Sequence, residues 1–130
     1  MMPMLTGYRI LDITQFVAGP TCTRIMAEMG AEVIKVELVP NGDHGRQSGL
    51  RARGDKNENC TQSTYFAQHN HSKKSLAIDL KSSRGQEILK QMLPKIDVLV
   101  ENFAPGAIAR MGLSYEDLKE INPRLIMCSI

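Results

Sequence analysis

Two short segments place glycine beside proline where a strand should give way to a helix: Gly19-Pro20 and Pro105-Gly106. A helix N-terminus gathers unpaired N–H groups and the positive end of the macrodipole, so phosphate is the chemistry such a segment suits. Residues 15–20 follow an apolar run at 9–13, and residues 102–106 follow another at 97–101. Ligands of parallel sheets sit beyond the carboxyl ends of strands, where these loops belong. Neither loop is a G-x-G-x-x-G or a Walker sequence, and on local grounds alone both also read as helix-starting turns. His44, His69 and His71 have no carboxylate or cysteine at a ligand spacing, so they read as polar surface and no metal site is expected. Lys73-Lys74 and Arg51/Arg53 suit a phosphorylated ligand or simply solvate a loop. Asp12 and Asp79 are strand carboxylates, each a general base if buried with a shifted pKa and otherwise an anchor for its loop. No Ser/His/Asp order stands out.

An alternation of strands and helices positions these residues. Residues 9–13 read as a buried strand, and Pro20 fits the first position of a helix, where its missing N–H costs nothing. Cys22, Ile25, Met26 and Met29 follow at i, i+3, i+4, i+7 as one apolar face, Gly30 stands where a C-cap belongs, and 32–37 is a second strand. A β–α–β unit in under forty residues argues for parallel strands. The periodicity then disappears over residues 38–74, which contain Pro40, Gly42, Gly45, Gly49 and Gly54. Six Lys/Arg against three Asp/Glu give this segment +3 and leave −1 for the rest. So long an excursion is functional or a solvated surface loop, with a helical turn at 63–68. Residues 75–80 resume as a strand. Ser83 and Gln86 have capping-box spacing ahead of Ile88, Leu89, Met92 and Leu93, and Pro94 closes that helix. After the strand at 97–101, a short helix spans 106–111 with Gly112 as its cap. Ser114 and Asp117 cap another helix over Tyr115, Leu118 and Ile121, and 124–130 is a last strand. A terminal strand fits a sheet that continues in a larger fold, and equally a domain whose last element is a strand.

Composition bounds the rest. One hundred and thirty residues, 42% hydrophobic and 23% charged, make one globular domain. Sixteen basic against fourteen acidic residues give +2, too balanced for a nucleic-acid partner. No apolar run approaches the roughly 20 residues of a membrane span, and MMPMLTGYRI has neither a signal-peptide core nor a transit pattern. Cys22, Cys60 and Cys128 are odd in number and far apart, which suits a reducing compartment and a cytoplasmic protein.

Longer stretches carry a family resemblance. Leu11-Asp12-Ile13-Thr14, Ala18-Gly19-Pro20 and Gly30-Ala31-Glu32-Val33-Ile34-Lys35-Val36-Glu37 resemble the opening of the class III CoA-transferases, the CaiB/BaiF-like family. Lys73-Lys74-Ser75-Leu76-Ala77-Ile78-Asp79-Leu80-Lys81 is similar to its lysine-rich strand. Val100-Glu101-Asn102-Phe103-Ala104-Pro105-Gly106 matches its most characteristic segment, and Leu113-Ser114-Tyr115-Glu116-Asp117-Leu118, Asn122-Pro123-Arg124 and Cys128-Ser129-Ile130 continue it. The resemblance implies an α/β, Rossmann-like parallel sheet with flanking helices, residues 1–130 being the N-terminal part of the CoA-binding domain in an interlocked homodimer. It implies transfer of CoA from an acyl-CoA to a free carboxylic acid through an acyl-aspartyl anhydride, with CoA or acyl-CoA as substrate and no permanently bound cofactor. The nucleophilic aspartate is expected beyond Ile130, so no catalytic nucleophile is assigned within these residues and the chain alone should not turn over.

For the CoA contacts the resemblance implies Val17 and Ala18 along the cofactor. Ile78, Asp79, Leu80 and Lys81 would meet its nucleotide part, Asn102, Phe103 and Ala104 its pantetheine–adenine side, and Arg110 a phosphate. Gln15 would lie near the acyl group. Leu38 stands where some relatives have an arginine, and Ser72 where an asparagine is frequent. Two other readings compete: an α-methylacyl-CoA racemase-type enzyme, whose deciding residues would also lie past Ile130, and a non-catalytic CoA- or nucleotide-binding module.

Overall fold

The computed structural model describes residues 2–50 and 63–130. Strands β1 (Arg9–Asp12), β2 (Glu32–Glu37), β3 (Lys74–Ala77), β4 (Val98–Glu101) and β5 (Ile126–Ser129) form one all-parallel sheet in the order β3-β2-β1-β4-β5. The chain builds outward from β1 through β2 to β3, then returns to lay β4 on the opposite side of β1. That reversal makes the β1 and β4 loops, at the carboxyl edge, a topological switch point, the place where open α/β sheets bind ligands. Among the described residues five α-helices connect the strands: α1 (Ala18–Glu28), α2 (Thr64–Asn70), α3 (Ser83–Met92), α4 (Ala107–Arg110) and α5 (Tyr115–Lys119). The arrangement is the expected Rossmann-like α/β fold. Arg51 and Arg53 lie outside the described residues, as does Cys60.

Period-two alternation divides the strand residues between the two faces of the sheet. Leu11, Ile13, Val36 and Leu99 join Leu89, Leu93, Leu113 and Leu118 in an apolar core beneath α3 and α5. On the α1 side, Ile10, Val33 and Val100 pack with Ala31 and Met26. Towards the carboxyl edge this second face changes character. Asp12, Lys35 and Glu37 keep the same parity as Ile10 and Val33 and are all buried there.

The expected apolar stripe of α1 requires correction. The helix starts at Ala18, two residues before Pro20, and its buried residues are Gly19, Pro20 and Thr23. Ile25 is 45% exposed, and of the expected four only Met26 packs into a core cluster. The cause is closeness: a Cβ on Gly19 would stand 2.3 Å from the Thr14 Cβ, so only small residues fit where α1 passes the end of β1. Met29 is the C-cap, and Gly30 follows at φ +100°, as a helix-ending glycine should.

Other boundaries move by a residue or more. β3 stops at Ala77, short of residue 80, although the Ile78 N–H still donates to Glu37 O at 3.0 Å. Ser82, not Ser83, caps α3, its Oγ accepting from Gly85 N–H at 3.0 Å. Gln86 closes no capping box, because its side-chain amide donates to Leu80 O instead. Pro94 lies in a 3₁₀ turn, Leu93–Lys95, that continues α3 by one step. The reciprocal box of Ser114 and Asp117 forms as expected, but only Leu118 is buried beneath it, Tyr115 being 44% exposed. The helical turn at 63–68 is α2, with Ser63 as its cap. His69 is not surface: it is buried, its Nδ1 3.0 Å from Thr21 Oγ1.

Candidate functional site

At the switch point, side chain and main chain lock the two loops together. The last ladder bond between the central strands runs from Ile13 N–H to Val100 O at 3.0 Å. One step further, the Gln15 N–H donates to Asn102 Oδ1 and the Asn102 side-chain amide donates to Gln15 O, both at 2.8 Å. Two of the residues expected to face CoA are therefore joined directly. Val17 and Ala18 come next, exposed at the start of α1, whose N-cap position carries no side-chain cap. Phe16, between Gln15 and Val17, holds φ +68°, a left-handed conformation that is costly for a bulky residue, and is 51% exposed.

Behind this edge lies a buried ionic network. Asp12 Oδ1 accepts from Thr14 N–H at 2.9 Å and Thr14 Oγ1 at 2.5 Å; its Oδ2 accepts from Thr23 Oγ1 at 2.6 Å and Lys73 Nζ at 2.8 Å. Lys73 also donates to Pro20 O and Asn70 Oδ1, both at 2.8 Å. Lys35 Nζ donates to Thr14 O at 2.7 Å and meets Asp43 Oδ2 at 2.8 Å, an ion contact without hydrogen-bond geometry. Arg46 grips both oxygens of Glu37 at 2.6 Å while lying 3.6 Å over the Phe66 ring. Three carboxylates thus meet three cations.

Burial raises the Asp12 carboxyl, but the charges of Lys35 and Lys73 and the bonds from Lys73 and Thr14 outweigh it and hold it below its ordinary value. Burial lowers the Lys73 ammonium to about 8, the charge of Asp12 resisting. Lys73 is therefore not the solvated loop charge its sequence position indicates.

Glu37 gives the network a testable acid limit. Burial raises its carboxyl, and the bonds from Arg46, Ser75 and the Asp43 N–H overcome that and bring it from 4.5 to about 2. A carboxyl depressed on folding contributes stability that is present above the unfolded value and lost as pH falls through the folded one. Thermal melts of the chain should therefore lose stability between pH 4.5 and about 2, and Glu37→Gln should flatten that part of the profile. An unchanged slope in the variant would remove Glu37 from the account.

The remaining expected contacts lie along the same carboxyl edge but are not joined to the clamp. Ile78 and Leu80 are buried in the α3-side core, so a ligand can meet only the main chain of 78–81 and the outward side chains of Asp79 and Lys81. Asp79 Oδ1 accepts from Lys81 N–H at 2.9 Å and holds that loop. β3 lies two strands from β1, roughly 10 Å at the usual inter-strand spacing. Phe103 packs against the α3-side core, Ala104 is exposed, and Arg110 is exposed on α4. A cleft of ≈ 340 Å³ opens instead over Lys35, Glu37, Arg46, Phe66 and Lys73, and none of the expected contact residues lines it. Among the described residues no group of three His, Cys, Asp or Glu could hold a metal ion, and no helix is long and apolar enough to cross a membrane.

Residues 5–130 match the family model described as CoA-transferase family III. The chain belongs to CoA-transferase family III. Among curated relatives it is 44% identical over 130 residues to formyl-CoA:oxalate CoA-transferase of Afipia carboxidovorans, covering 100% of this chain and 29% of that protein. It is 46% identical over 129 residues to succinyl-CoA:glutarate CoA-transferase of Mus musculus, covering 99% of this chain and 28% of that one. Among solved structures, a CAIB/BAIF family protein from Brucella suis superposes with a TM-score of 0.87 at 34% identity, over 99% of this chain and 33% of its own. The chain thus spans somewhat under a third of the length of the family III relatives it matches.

Residue-level reading missed Phe16, Lys35, Asp43 and Arg46. For Lys35 a signal was present: in Val33-Ile34-Lys35-Val36-Glu37 the charges recur at the parity of Val33, which alternation assigns to a buried face. Asp43 and Arg46 carry no such signal, because a 3₁₀ turn, His44–Gln47, brings them in from the aperiodic excursion.

Proposed function

We propose that this chain is the CoA-binding N-terminal portion of a class III CoA-transferase that moves CoA from an acyl-CoA to a carboxylic acid. The observation that carries the reading is the joining of Gln15 to Asn102 across the switch point, within segments that match the family from end to end. In this reading Val17 and Ala18 bring the uncapped start of α1 towards phosphate, and Phe103 offers apolar surface to the pantetheine arm. Asp79 holds the loop that carries Lys81, and Lys81 and Arg110 supply phosphate-seeking charges from neighbouring loops.

The chemistry asks for a carboxylate nucleophile. An aspartate oxygen attacks the thioester carbonyl and expels CoA thiolate, leaving a mixed anhydride. The thiolate then attacks the aspartyl carbonyl and releases the first acid, and the acceptor carboxylate repeats the exchange in reverse. Asp12 is committed to Thr14, Thr23 and Lys73, and Asp79 to its own loop. The family resemblance, not these commitments, implies that the nucleophile is an aspartate beyond residue 130, in an interlocked homodimer of the cytoplasm.

Calorimetry of the chain with CoA tests the reading. Asn102→Ala should weaken binding by about tenfold, the worth of one or two lost hydrogen bonds at the switch point, and acyl-CoA with hydroxylamine should trap no acyl group on residues 1–130. Absence of CoA binding by the parent chain, or an acyl group captured on Asp12 or Asp79, would overturn it.

A further inference from the structure

The side chain of Gln15 leaves a main chain that is already fixed at both its N–H and its carbonyl by Asn102. Its Oε1 meets His44 Nδ1, across from the 3₁₀ turn. His44 is itself held on two sides. Its ring stacks on Phe16 with centroids 5.3 Å apart and planes 21° from parallel. The preceding Asp43 is a buried anchor: it accepts from Gly45 N–H at 2.7 Å, pairs with Lys35 and accepts the Phe16 N–H at 3.3 Å.

Phe16 takes part in this from φ +68°, a conformation that is costly for an L-residue. The stacked pair does not recover that cost as core, since both rings lie in the exposed part of the fold. What the strain achieves is geometric: it turns the Phe16 ring onto His44 and sets the imidazole edge against the Gln15 carboxamide.

A carboxamide has an accepting end and a donating end, so whichever group claims one end decides what the other presents. An Nδ1–H on His44 claims Oε1 and leaves the NH₂ of Gln15 for an oxygen at the switch point. We infer that His44 is a positioning residue for the acyl site. Through Nδ1–H it orients Gln15 so that the carboxamide NH₂ faces the oxygen of the reacting thioester or acceptor carboxylate, and Phe16 holds the imidazole in place. The inference rests on the CoA-transferase reading, in which Gln15 faces the acyl group, and adds the residue that aims it.

The test uses CoA transfer by the full-length protein that carries this chain, with Gln15→Ala, His44→Phe, the double variant and His44→Asn. Phe at 44 keeps a flat ring on Phe16 and removes the donor; Asn restores an N–H donor without the ring. Gln15→Ala and His44→Phe should each lower kcat/KM on the order of tenfold, as the loss of one aimed donor does. The double variant should fall no further than the worse single, because both act through one amide. His44→Asn should recover most of the loss, and melting temperatures should stay close to the parent's. An effect of His44→Phe below about twofold, or losses that multiply in the double variant, would overturn the inference. A separate readout does not depend on turnover: ¹⁵N shifts of the imidazole should show the Nδ1–H tautomer, which Gln15→Ala should release. A parent that transfers no CoA sinks the family-level reading, and finding His44 in the Nε2–H tautomer sinks this one.

Discussion

Replacing Asp12 with alanine should cost the chain about 3–5 kcal/mol, the scale at which removing one partner of a buried pair leaves the other without compensation. Asp12 is fully buried and is the acceptor for two hydroxyls, one main-chain N–H and the Lys73 ammonium. Without it Lys73 keeps only Pro20 O and Asn70 Oδ1, Thr14 loses its acceptor, and Thr23 Oγ1 is left with Gly19 O and Pro20 O at 3.2 Å. The loss has a signature that a simple cavity lacks. Burial already lowers Lys73 to about 8 with the carboxylate present, and removing Asp12 lowers it further. A lysine depressed on folding is destabilising where it must stay charged and less so once it can be neutral, so stability rises with pH up to the unfolded value. Denaturant melts should therefore show the gap between Asp12→Ala and parent narrowing as pH rises to about 8, where Lys73 of the parent begins to titrate too, and holding constant above it. A variant within 1 kcal/mol of the parent, on the scale of ordinary surface changes, would mean that the network contributes little.

Gly85→Ala should be nearly as damaging, against what helix propensity alone expects. Alanine is about 1 kcal/mol better than glycine inside a helix. At this position in α3, however, an added Cβ would stand 1.9 Å from Asp79 O and 2.7 Å from Asp79 C, with Ile78 Cγ2 at 2.9 Å. Two of those three atoms are main chain, which no rotamer change can move aside. Overpacking of this kind costs about 3 kcal/mol, enough to reverse the propensity gain. Relief can come only by pushing away the loop that carries Asp79 and Lys81, so under the proposed CoA-binding reading the affinity for CoA should fall together with stability. A variant with parental melting temperature would show that the loop yields freely, and would weaken the case for 78–81 as a preset contact.

The alternation of strands and helices was readable because apolar runs, caps and turn glycines each report a local choice. The Ser114–Asp117 box and the glycine after Met29 are such choices, and both stand where the sequence puts them. The face of α1 was misread for a non-local reason. Apolar spacing selects Ile25, while the closeness of Gly19 to Thr14 turns the small residues inward. At the site, the loops at 15–18 and 102–104 were legible as strand-end turns, but their joining was not, since 87 positions separate Gln15 from Asn102. His44 is exposed, as expected of it, but its pairing with Gln15 and Phe16 was not legible for the same reason, since those partners arrive from another part of the chain.

Asn102 replaces a peptide group at the switch point, offering one donor and one acceptor to the opposing main chain just as a neighbouring strand would. The gap between the two loops is thereby set to the length of a single side chain. Aspartate lacks the donor, and glutamine is a methylene too long. Homologues that handle acids of different size are thus expected to keep this width constant and adjust selectivity through the groups that project over it.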